Sequence, residues 1–265
     1  QSIGVDIERE LNFANSKIKL DIGTEDPRQN VASATGVNGL ENSGNAAGGN
    51  ALYTDGSAGI YVNMKGNVIN ESIYVYDQIN PANNKSISSS HIDNPQFTLS
   101  DYLLNVGSYS RGGAGLRVEE YGDVILGSSS DTSTSHEINL LAGGKNNAGI
   151  YVSGANAQVT TDGMLMNIDG TEQVGAQIEN SGKFYHQNGV ITINGTDNTG
   201  IAVKATGYGE FSGTGQINVN AHNLGVYNNE IFNMTNGKIT ANGAAAVGVY
   251  SAPSNLTTNL SGGTV

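Results

Sequence analysis

The stretch Gly175–Val219, GAQIENSGKFYHQNGVITINGTDNTGIAVKATGYGEFSGTGQINV, contains one pattern twice. Each copy has three short runs of alternating apolar residues, which Gly- and Asn-rich turns separate. Runs this short do not form stable hairpins alone, but runs that stack on the same run of the next copy form three parallel sheets around a common interior. The stretch therefore predicts a parallel β-helix. The runs are Gly175–Ile178, Gly182–Tyr185 and Val190–Ile193 in the first copy, and Gly200–Val203, Glu210–Ser212 and Gln216–Val219 in the second.

A motif of Gly, apolar, any residue, apolar begins each copy and recurs along the chain. Successive glycines of the motif are 56, 34, 26, 25, 25 and 23 residues apart. We predict one all-β domain over residues 1–265, a right-handed parallel β-helix (a solenoid) with three strands in each coil of about 25 residues. Unequal strands and the lack of a hexapeptide repeat favour the right-handed form. The motif glycines are Gly59, Gly115, Gly149, Gly175 and Gly200, with weaker copies at Gly225 and Gly248.

Alternation assigns the two faces of each strand, because successive side chains of a strand point to opposite sides. Ile201 and Val203 are expected inside and Ala202 outside. Stacking then places Ile193, Val219 and Ala241 in one interior column. Toward the amino end, Lys17–Gly23 resembles a third strand of a coil, and Gly36–Leu40 resembles a degenerate first strand.

Two segments break the repeat. The gap between Gly59 and Gly115 spans about two repeats, so it holds either a hidden coil or an inserted loop. We interpret residues 77–114 as an excursion from the rod that contains a short helix over Thr98–Val106, where apolar residues have helical spacing. A cap or a degenerate coil is the alternative interpretation. The second break, Gly127–Ser135, is Ser- and Thr-rich and is expected to be a solvated loop.

Composition limits the possible functions. Gly and Asn supply 71 of the 265 residues, which is unlike a helical or α/β domain, and the net charge of -12 argues against nucleic acid or an anionic membrane as a partner. Cysteine is absent, which excludes disulfides, thiolate metal sites and a cysteine nucleophile. No apolar run is long enough for a membrane-spanning helix, and an export signal is expected to lie outside this sequence.

Candidate binding residues are aromatic or basic side chains outside the core. Tyr61, Tyr151, Tyr227 and Tyr250 share the outward third position of the repeat motif, so coils in register would form a row of tyrosines about 4.8 Å apart per coil. Such rings stack on sugars or proteins, although strand propensity alone also accounts for tyrosine there. The candidates, residue types enriched at interfaces, are Tyr102, Tyr109 and Arg111 in the excursion and Tyr151 and Tyr227 in the row.

Catalytic and metal sites are not indicated. The densest charges are Arg111, Arg117, Glu119, Glu120 and Asp123, and solvated surface charge is the simplest explanation for them. His91, His136, His186 and His222 are far apart without ligand spacing. We therefore expect no enzyme activity, no metal and no cofactor.

The repeated Gly-Ile-Tyr-Val motif at Gly59 and Gly149, with Asn/Gly turns and strands such as Gly189–Gly195, closely resembles passenger domains of type V autotransporters. The resemblance is strongest to the large fusobacterial outer-membrane adhesins, and it is clearest over residues 149–250. It implies a right-handed β-helix displayed at the bacterial cell surface, which attaches to host cells or other bacteria. It also implies an outer-membrane barrel as anchor; we expect that anchor outside this sequence, which resembles a piece of a longer passenger.

Three functions remain open at this point. The first is a cell-surface adhesin fragment that binds a host-cell or bacterial surface protein or glycan, with an extracellular location. The second is a β-helical polysaccharide lyase or glycosidase, which would require a carboxylate cleft near Arg117 and Glu119. The third is a structural spacer of a larger surface protein.

Overall fold

The computed structural model describes residues 3–7, 18–22, 54–55, 58–62, 73–75, 85–87, 96–99, 102–107, 110–130, 136–252 and 257–265, with side chains from residue 102 onward except at Tyr121. All regular elements among these residues are strands, so the short helix predicted over Thr98–Val106 is wrong. The strands in chain order are β1 (Ile3–Ile7), β2 (Ile18–Ile22), β3 (Thr54–Asp55), β4 (Ala58–Val62), β5 (Ile73–Val75), β6 (Lys85–Ile87), β7 (Gln96–Leu99), β8 (Tyr102–Val106), β9 (Ser110–Arg111), β10 (Ala114–Leu126), β11 (His136–Leu140), β12 (Ala148–Thr161), β13 (Met164–Ile168), β14 (Val174–Glu179), β15 (Lys183–His186), β16 (Gly189–Ile193), β17 (Thr199–Val203), β18 (Tyr208–Phe211), β19 (Gln216–Val219), β20 (Leu224–Asn228), β21 (Ile231–Met234), β22 (Lys238–Ala241), β23 (Val247–Ser251) and β24 (Thr257–Leu260).

Three ladders of parallel strands run along the molecule. The long strands β10 and β12 contribute to both the first and the second ladder, and their mutual register shifts between Glu119 and Tyr121. One coil takes one strand from each ladder, which makes the chain a parallel β-solenoid with coils of about 25 residues, as the repeat predicted. The first ladder is β1-β4-β10-β12-β14-β17-β20-β23, the second is β7-β10-β12-β15-β18-β21-β24, and the third is β2-β8-β11-β13-β16-β19-β22.

The interior consists of side-chain columns that follow the predicted alternation. Ile193 pairs in register with Val219, and Val219 with Ala241, so the three share one column as predicted. Ile193 and Val219 are fully buried, whereas Ala241 is exposed, so its predicted interior position is wrong. Ile201 and Val203 are fully buried. Ala202 is only 2% exposed although its register neighbours Gln177 and Tyr227 are on the outer face, because its short side chain lies between larger ones.

The glycine of the repeat motif allows successive coils to approach closely at one corner. A Cβ at Gly200 would lie 2.6 Å from the carbonyl oxygen of Gly225 and 2.8 Å from Ile193 Cδ1, and a Cβ at Gly225 would lie 2.5 Å from the carbonyl oxygen of Gly248. Gly115 and Gly149 have the same relation to the next motif glycine. Backbone contact between coils therefore requires glycine at the motif positions from Gly115 to Gly225.

A column of buried amides lies two residues before these glycines. The Oδ1 atom of Asn198 accepts a hydrogen bond from the backbone N–H of Gln173 at 2.8 Å, and Asn223 Oδ1 accepts one from the backbone N–H of Asn198 at 3.0 Å. Asn147 Nδ2 donates to Gln173 Oε1 at 3.1 Å. These amides, buried and bonded from coil to coil, satisfy backbone groups at the turn into the first ladder. We call Asn147, Gln173, Asn198 and Asn223 the amide column.

The predicted excursion at residues 77–114 is placed differently by the structure. β7 pairs with β10, and β8 pairs with β2 and β11, so residues 96–99 and 102–106 are ordinary second and third strands of a coil. The departure from the coil lies between β4 and β7, where β5 and β6 form an antiparallel hairpin. The apolar run at 98–106 is explained by burial in the solenoid, since short apolar runs do not distinguish a strand from a helix.

The other irregular segments are only partly described. The predicted strand at Lys17–Gly23 is confirmed as β2 in the third ladder. Gly127–Ser130 follow β10 as a turn, whereas residues 131–135 of the predicted loop lie outside the described part of the chain. The predicted degenerate strand at Gly36–Leu40 also lies outside it.

Two adjacent substitutions test the assignment of faces. Val219→Asp places an unpaired carboxylate at a fully buried position, and we expect it to lower the free energy of unfolding by several kcal/mol. Asn218→Asp, on the outer face of the same strand, should change it by less than about 1 kcal/mol. Urea unfolding followed by circular dichroism measures both; equal stability of the two variants would contradict the assignment.

The amide column gives a second stability test. Asn198→Ala removes the acceptor for the backbone N–H of the buried Gln173, and it also removes one of the two donors to the carbonyl oxygen of Gly170, which keeps its bond from the Thr196 N–H. We expect a loss of about 2–4 kcal/mol of unfolding free energy. Thr196→Ala, an exposed change in the same turn, serves as the control and should stay within about 0.5 kcal/mol of the parent chain.

Candidate binding surface

The outward row predicted from the repeat motif is present in register. From coil to coil its backbone positions, which pair in register, are those of Tyr61, Arg117, Tyr151, Gln177, Ala202, Tyr227 and Tyr250. We call these residues the outer tyrosine row. The row follows from the shared position of its members after the motif glycine, since the glycine contact fixes how each coil sits on the next.

Tyr151 is held by its neighbours along the row. The guanidinium carbon of Arg117 lies 4.4 Å from the centroid of the Tyr151 ring, and Arg117 Nε forms a 2.7 Å ion pair with Glu119 Oε1. The Tyr151 hydroxyl donates a hydrogen bond to the Glu179 carboxylate. Burial, followed by this bond to Glu179, raises the pKa of Tyr151 to about 12. The phenol therefore stays protonated at neutral pH and is poorly suited to act as a general base.

Tyr227 and Tyr250 stack on each other. Their ring centroids are 5.8 Å apart and their planes differ by 17°. One face of each ring is therefore covered by the other ring. Tyr250 keeps 48% of its surface exposed, so it is the most accessible of the row's tyrosines whose side chains are described.

The polar members of the row are also bonded within the chain. Gln177 Nε2 donates to Glu179 Oε2 at 3.1 Å, and Lys204 Nζ donates to Gln177 Oε1 at 3.2 Å. The Gln177–Glu179 and Arg117–Glu119 bonds each lie within one strand, whereas the Lys204–Gln177 bond joins successive coils. At the centre of the row the side chains are thus bonded to one another on the surface. A ligand would contact mainly their solvent-exposed atoms.

Two of the three residues predicted in the excursion are described, and they do not share a surface. Tyr102 is fully buried, because its position in β8 faces the same side as Leu104 and Val106, so its assignment to a binding surface is wrong. Tyr109 lies outside the described residues. Arg111 is exposed in β9, where its backbone bridges to Lys145 in the next coil.

A second aromatic pair lies on the outer face of the second ladder. The rings of Tyr185 and Tyr208 are 5.7 Å apart and tilted by 50°. The Tyr208 hydroxyl donates to Glu210 Oε2 at 2.7 Å and accepts from Asn233 Nδ2 at 3.1 Å. Burial raises the pKa of Tyr185, and the carboxylates of Glu210 and Asp123 raise it further. The sequence reasoning missed this pair, because the two tyrosines occupy different positions of the repeat.

The predicted charge cluster does not converge on a cleft. Arg117 and Glu119 pair with each other, and Asp123 faces outward in the second ladder, in register with Gln158. Among the residues that the structure describes, no group of three His, Asp or Glu side chains is arranged to hold a metal ion. Within the same residues, no helix is long and apolar enough to cross a membrane.

Two buried side chains with displaced pKa values lie in the interior. Burial raises the pKa of Tyr102, whose hydroxyl has no hydrogen-bond partner among the described residues. Burial lowers the pKa of His186 to about 4, and the backbone of Gln216 opposes this shift only in part. The His186 ring lies 5.0 Å from the Phe211 ring, and its Nδ1 is 2.7 Å from Thr161 Oγ1. Both groups are enclosed by the core, where a ligand does not reach them.

The chain matches no family model, no curated protein and no solved structure. The class that the structure defines is a parallel β-solenoid, with tyrosines bonded to neighbouring side chains on its surface. The resemblance to autotransporter passengers rests on the sequence motifs alone.

Burial of neutral His186 predicts a pH dependence of stability. Its folded pKa of about 4 is below the ordinary value of 6.5, so between these values the unfolded chain binds a proton that the folded chain excludes. The free energy of unfolding should therefore fall as the pH falls from about 6.5 to about 4, by up to a few kcal/mol.

Matched variants isolate this contribution. His186→Phe should flatten the pH dependence over that interval, whereas His222→Gln, at an exposed turn, should leave it as in the parent chain. Denaturant unfolding at half-unit pH steps measures the difference. An unchanged slope in His186→Phe would show that folding does not lower the pKa of His186, contrary to its burial.

Proposed function

We propose that this chain is a segment of a bacterial cell-surface adhesin that attaches to a host-cell or bacterial surface protein or glycan. The observation that carries the proposal is the combination of a regular solenoid with aromatic side chains presented on its outside in register. A solenoid offers an extended rigid surface, and its function resides in side chains that the coil does not need for stability.

Two surface features support a binding role. The outer tyrosine row offers the half-exposed Tyr250 and the neighbouring Tyr227. The β5–β6 hairpin interrupts a coil between β4 and β7, and insertions that leave a regular scaffold are common positions for binding loops. The proposal includes an extracellular location at the bacterial surface and anchorage of the parent protein in the outer membrane, both as the sequence motifs imply.

A structural spacer is the second candidate. It is favoured by the internal bonding of the row, since Arg117 covers the Tyr151 ring, the Tyr151 hydroxyl is bound to Glu179, and Tyr250 covers Tyr227. Tyrosines used in this way stabilise the rod without a ligand. The two candidates differ in whether the isolated segment binds cells.

The binding test compares the parent chain with two variants. In the first, residues 64–94 are replaced by a short turn, which keeps β4, β7 and β8 in the coil. In the second, Tyr151 and Tyr227 are both changed to Ala. We expect the first variant to lose binding to cells in flow cytometry and on glycan and host-protein arrays, with a melting temperature close to that of the parent chain.

A matched control separates binding from stability. Thr192→Ala with Asn218→Ala alters the outer face of the third ladder and should leave binding unchanged. Normal binding by both test variants would assign the segment to a spacer role. Failure of the parent chain to bind any cell or array component would also contradict the adhesin proposal.

A further inference from the structure

An aromatic pair lies on the outer face of the second ladder, with further coils on both sides of it. Tyr185 of β15 pairs in register with Glu210 of β18, and Lys183 pairs with Tyr208. The two tyrosines are therefore diagonal neighbours on adjacent coils. β12 precedes and β21 follows these two strands in the ladder, so the surface belongs to the repeating part of the rod. We call Lys183, Tyr185, Tyr208 and Glu210 the second-ladder platform.

The core fixes the platform from below. On β15 the side chains of Phe184 and His186 flank Tyr185 on the inner face, where both are fully buried and their rings stack. The Tyr208 hydroxyl donates to Glu210 Oε2 at 2.7 Å, which fixes that ring on the next coil. The two tyrosine rings, 5.7 Å apart and tilted by 50°, are thus arranged before any ligand binds. Side chains arranged in advance lose little conformational freedom on binding.

Several polar groups of the platform are not used by the rod. The Tyr185 hydroxyl makes no hydrogen bond, and the exposed Lys183 ammonium no ion pair, with any residue that the structure describes. The Glu210 carboxylate keeps acceptor capacity beyond its bond from Tyr208. In the outer tyrosine row, by contrast, the Tyr151 hydroxyl is already bound to a carboxylate. The platform therefore joins fixed rings to unused donors and acceptors.

These groups match the chemistry of a sugar. A pyranose ring has an apolar face of C–H groups that packs on an aromatic ring, and its hydroxyls exchange hydrogen bonds with ammonium and carboxylate groups. Lys183 supplies donors and Glu210 supplies acceptors within the same four-residue surface. Anchor residues of a protein partner are typically buried in desolvated pockets, whereas the polar groups of this sheet face stay hydrated. A hydrated ligand such as a glycan suits the platform better.

The charges favour a glycan without charge. The carboxylates of Glu210 and Asp123 both act on the Tyr185 phenol, and Lys183 is the platform's one cation. A sulfated or sialylated glycan would meet both carboxylates on a chain whose net charge is -12. A neutral glycan meets no such repulsion.

We propose that the second-ladder platform binds a neutral glycan, with one pyranose ring stacked on Tyr185 and the next sugar of the chain against Tyr208. The site differs from the outer tyrosine row and from the β5–β6 hairpin. The inference rests on the binding role proposed above, for which it names a ligand class. A shallow face of this size should hold a short sugar with a Kd of about 1 mM, which is too weak for one platform alone to retain glycans on an array.

Fluorine NMR of the chain labelled with 3-fluorotyrosine tests the proposal. The 12 tyrosine signals are assigned by single Tyr→Phe changes. Neutral oligosaccharides of glucose, mannose, galactose and N-acetylglucosamine are then titrated to several times the expected Kd. We expect at least one of them to shift the signals of Tyr185 and Tyr208 and to leave those of Tyr151 and Tyr227 unchanged. Sulfated heparin fragments and sialyllactose should shift neither platform signal.

Matched variants separate the ring from its hydroxyl. Tyr185→Leu removes the stacking ring and should weaken sugar binding about tenfold, as read from the Tyr208 signal. Tyr185→Phe keeps the ring, so its affinity should stay within about threefold of the parent chain. Tyr227→Leu, which removes a tyrosine of the outer tyrosine row, is the control and should bind like the parent chain. Melting followed by circular dichroism checks that each variant keeps the fold.

Three results would overturn the proposal: no shift of Tyr185 or Tyr208 with any neutral sugar, equal weakening by Tyr227→Leu, or stronger binding of the anionic sugars. Shifts caused by a host protein and by no sugar would make the platform a protein-binding surface and overturn it too. Cell binding without sugar-induced shifts would refute the glycan site alone. Sugar-induced shifts in a chain that binds no cell would refute the adhesin role alone.

Discussion

The close approach of backbones at the motif glycines is the contact on which the rest of the solenoid depends. At this corner the α-carbon of one coil faces the carbonyl oxygen of the next, and no space remains for a Cβ. The contact sets the register of the first ladder, and that register places every following side chain inside or outside. Because each coil contacts only its neighbours, each added coil adds to the stability, and a defect in one coil affects mainly the adjacent coils.

The amide column shows how the same corner satisfies its polar groups. Each turn into the first ladder buries backbone N–H and carbonyl groups, and the amides of Gln173, Asn198 and Asn223 bond to them within and between coils. Glycine permits the close approach, and the amide two residues earlier makes the approach tolerable for the polar backbone. The two-residue spacing between the amide and the motif glycine is therefore a single requirement of this corner.

Much of the fold could be predicted from the sequence because the repeat is local and regular. The motif glycines and the alternation of Ile201, Val203 and Val219 give the ladders and faces correctly. The predicted bounds of the excursion are wrong because β8 lacks the glycine motif. Tyr102 of β8 pairs in register with Ile18 of β2 and His136 of β11, which are 84 and 34 residues away in the sequence. Such long-range pairings are not visible in a local pattern, so Tyr102 was assigned to the surface.

The surface was harder to predict than the core for a physical reason. Register places Arg117, Tyr151 and Gln177 in one row, but the sequence does not say that they bond to one another and to Glu119 and Glu179. Outward rows stack at the coil spacing, so long side chains reach their neighbours along the rod before they reach a ligand. An aromatic row on a solenoid can therefore stabilise the rod or bind a ligand, and both uses have the same sequence pattern. The two uses differ in whether a ligand contacts the accessible faces and edges of Tyr227 and Tyr250.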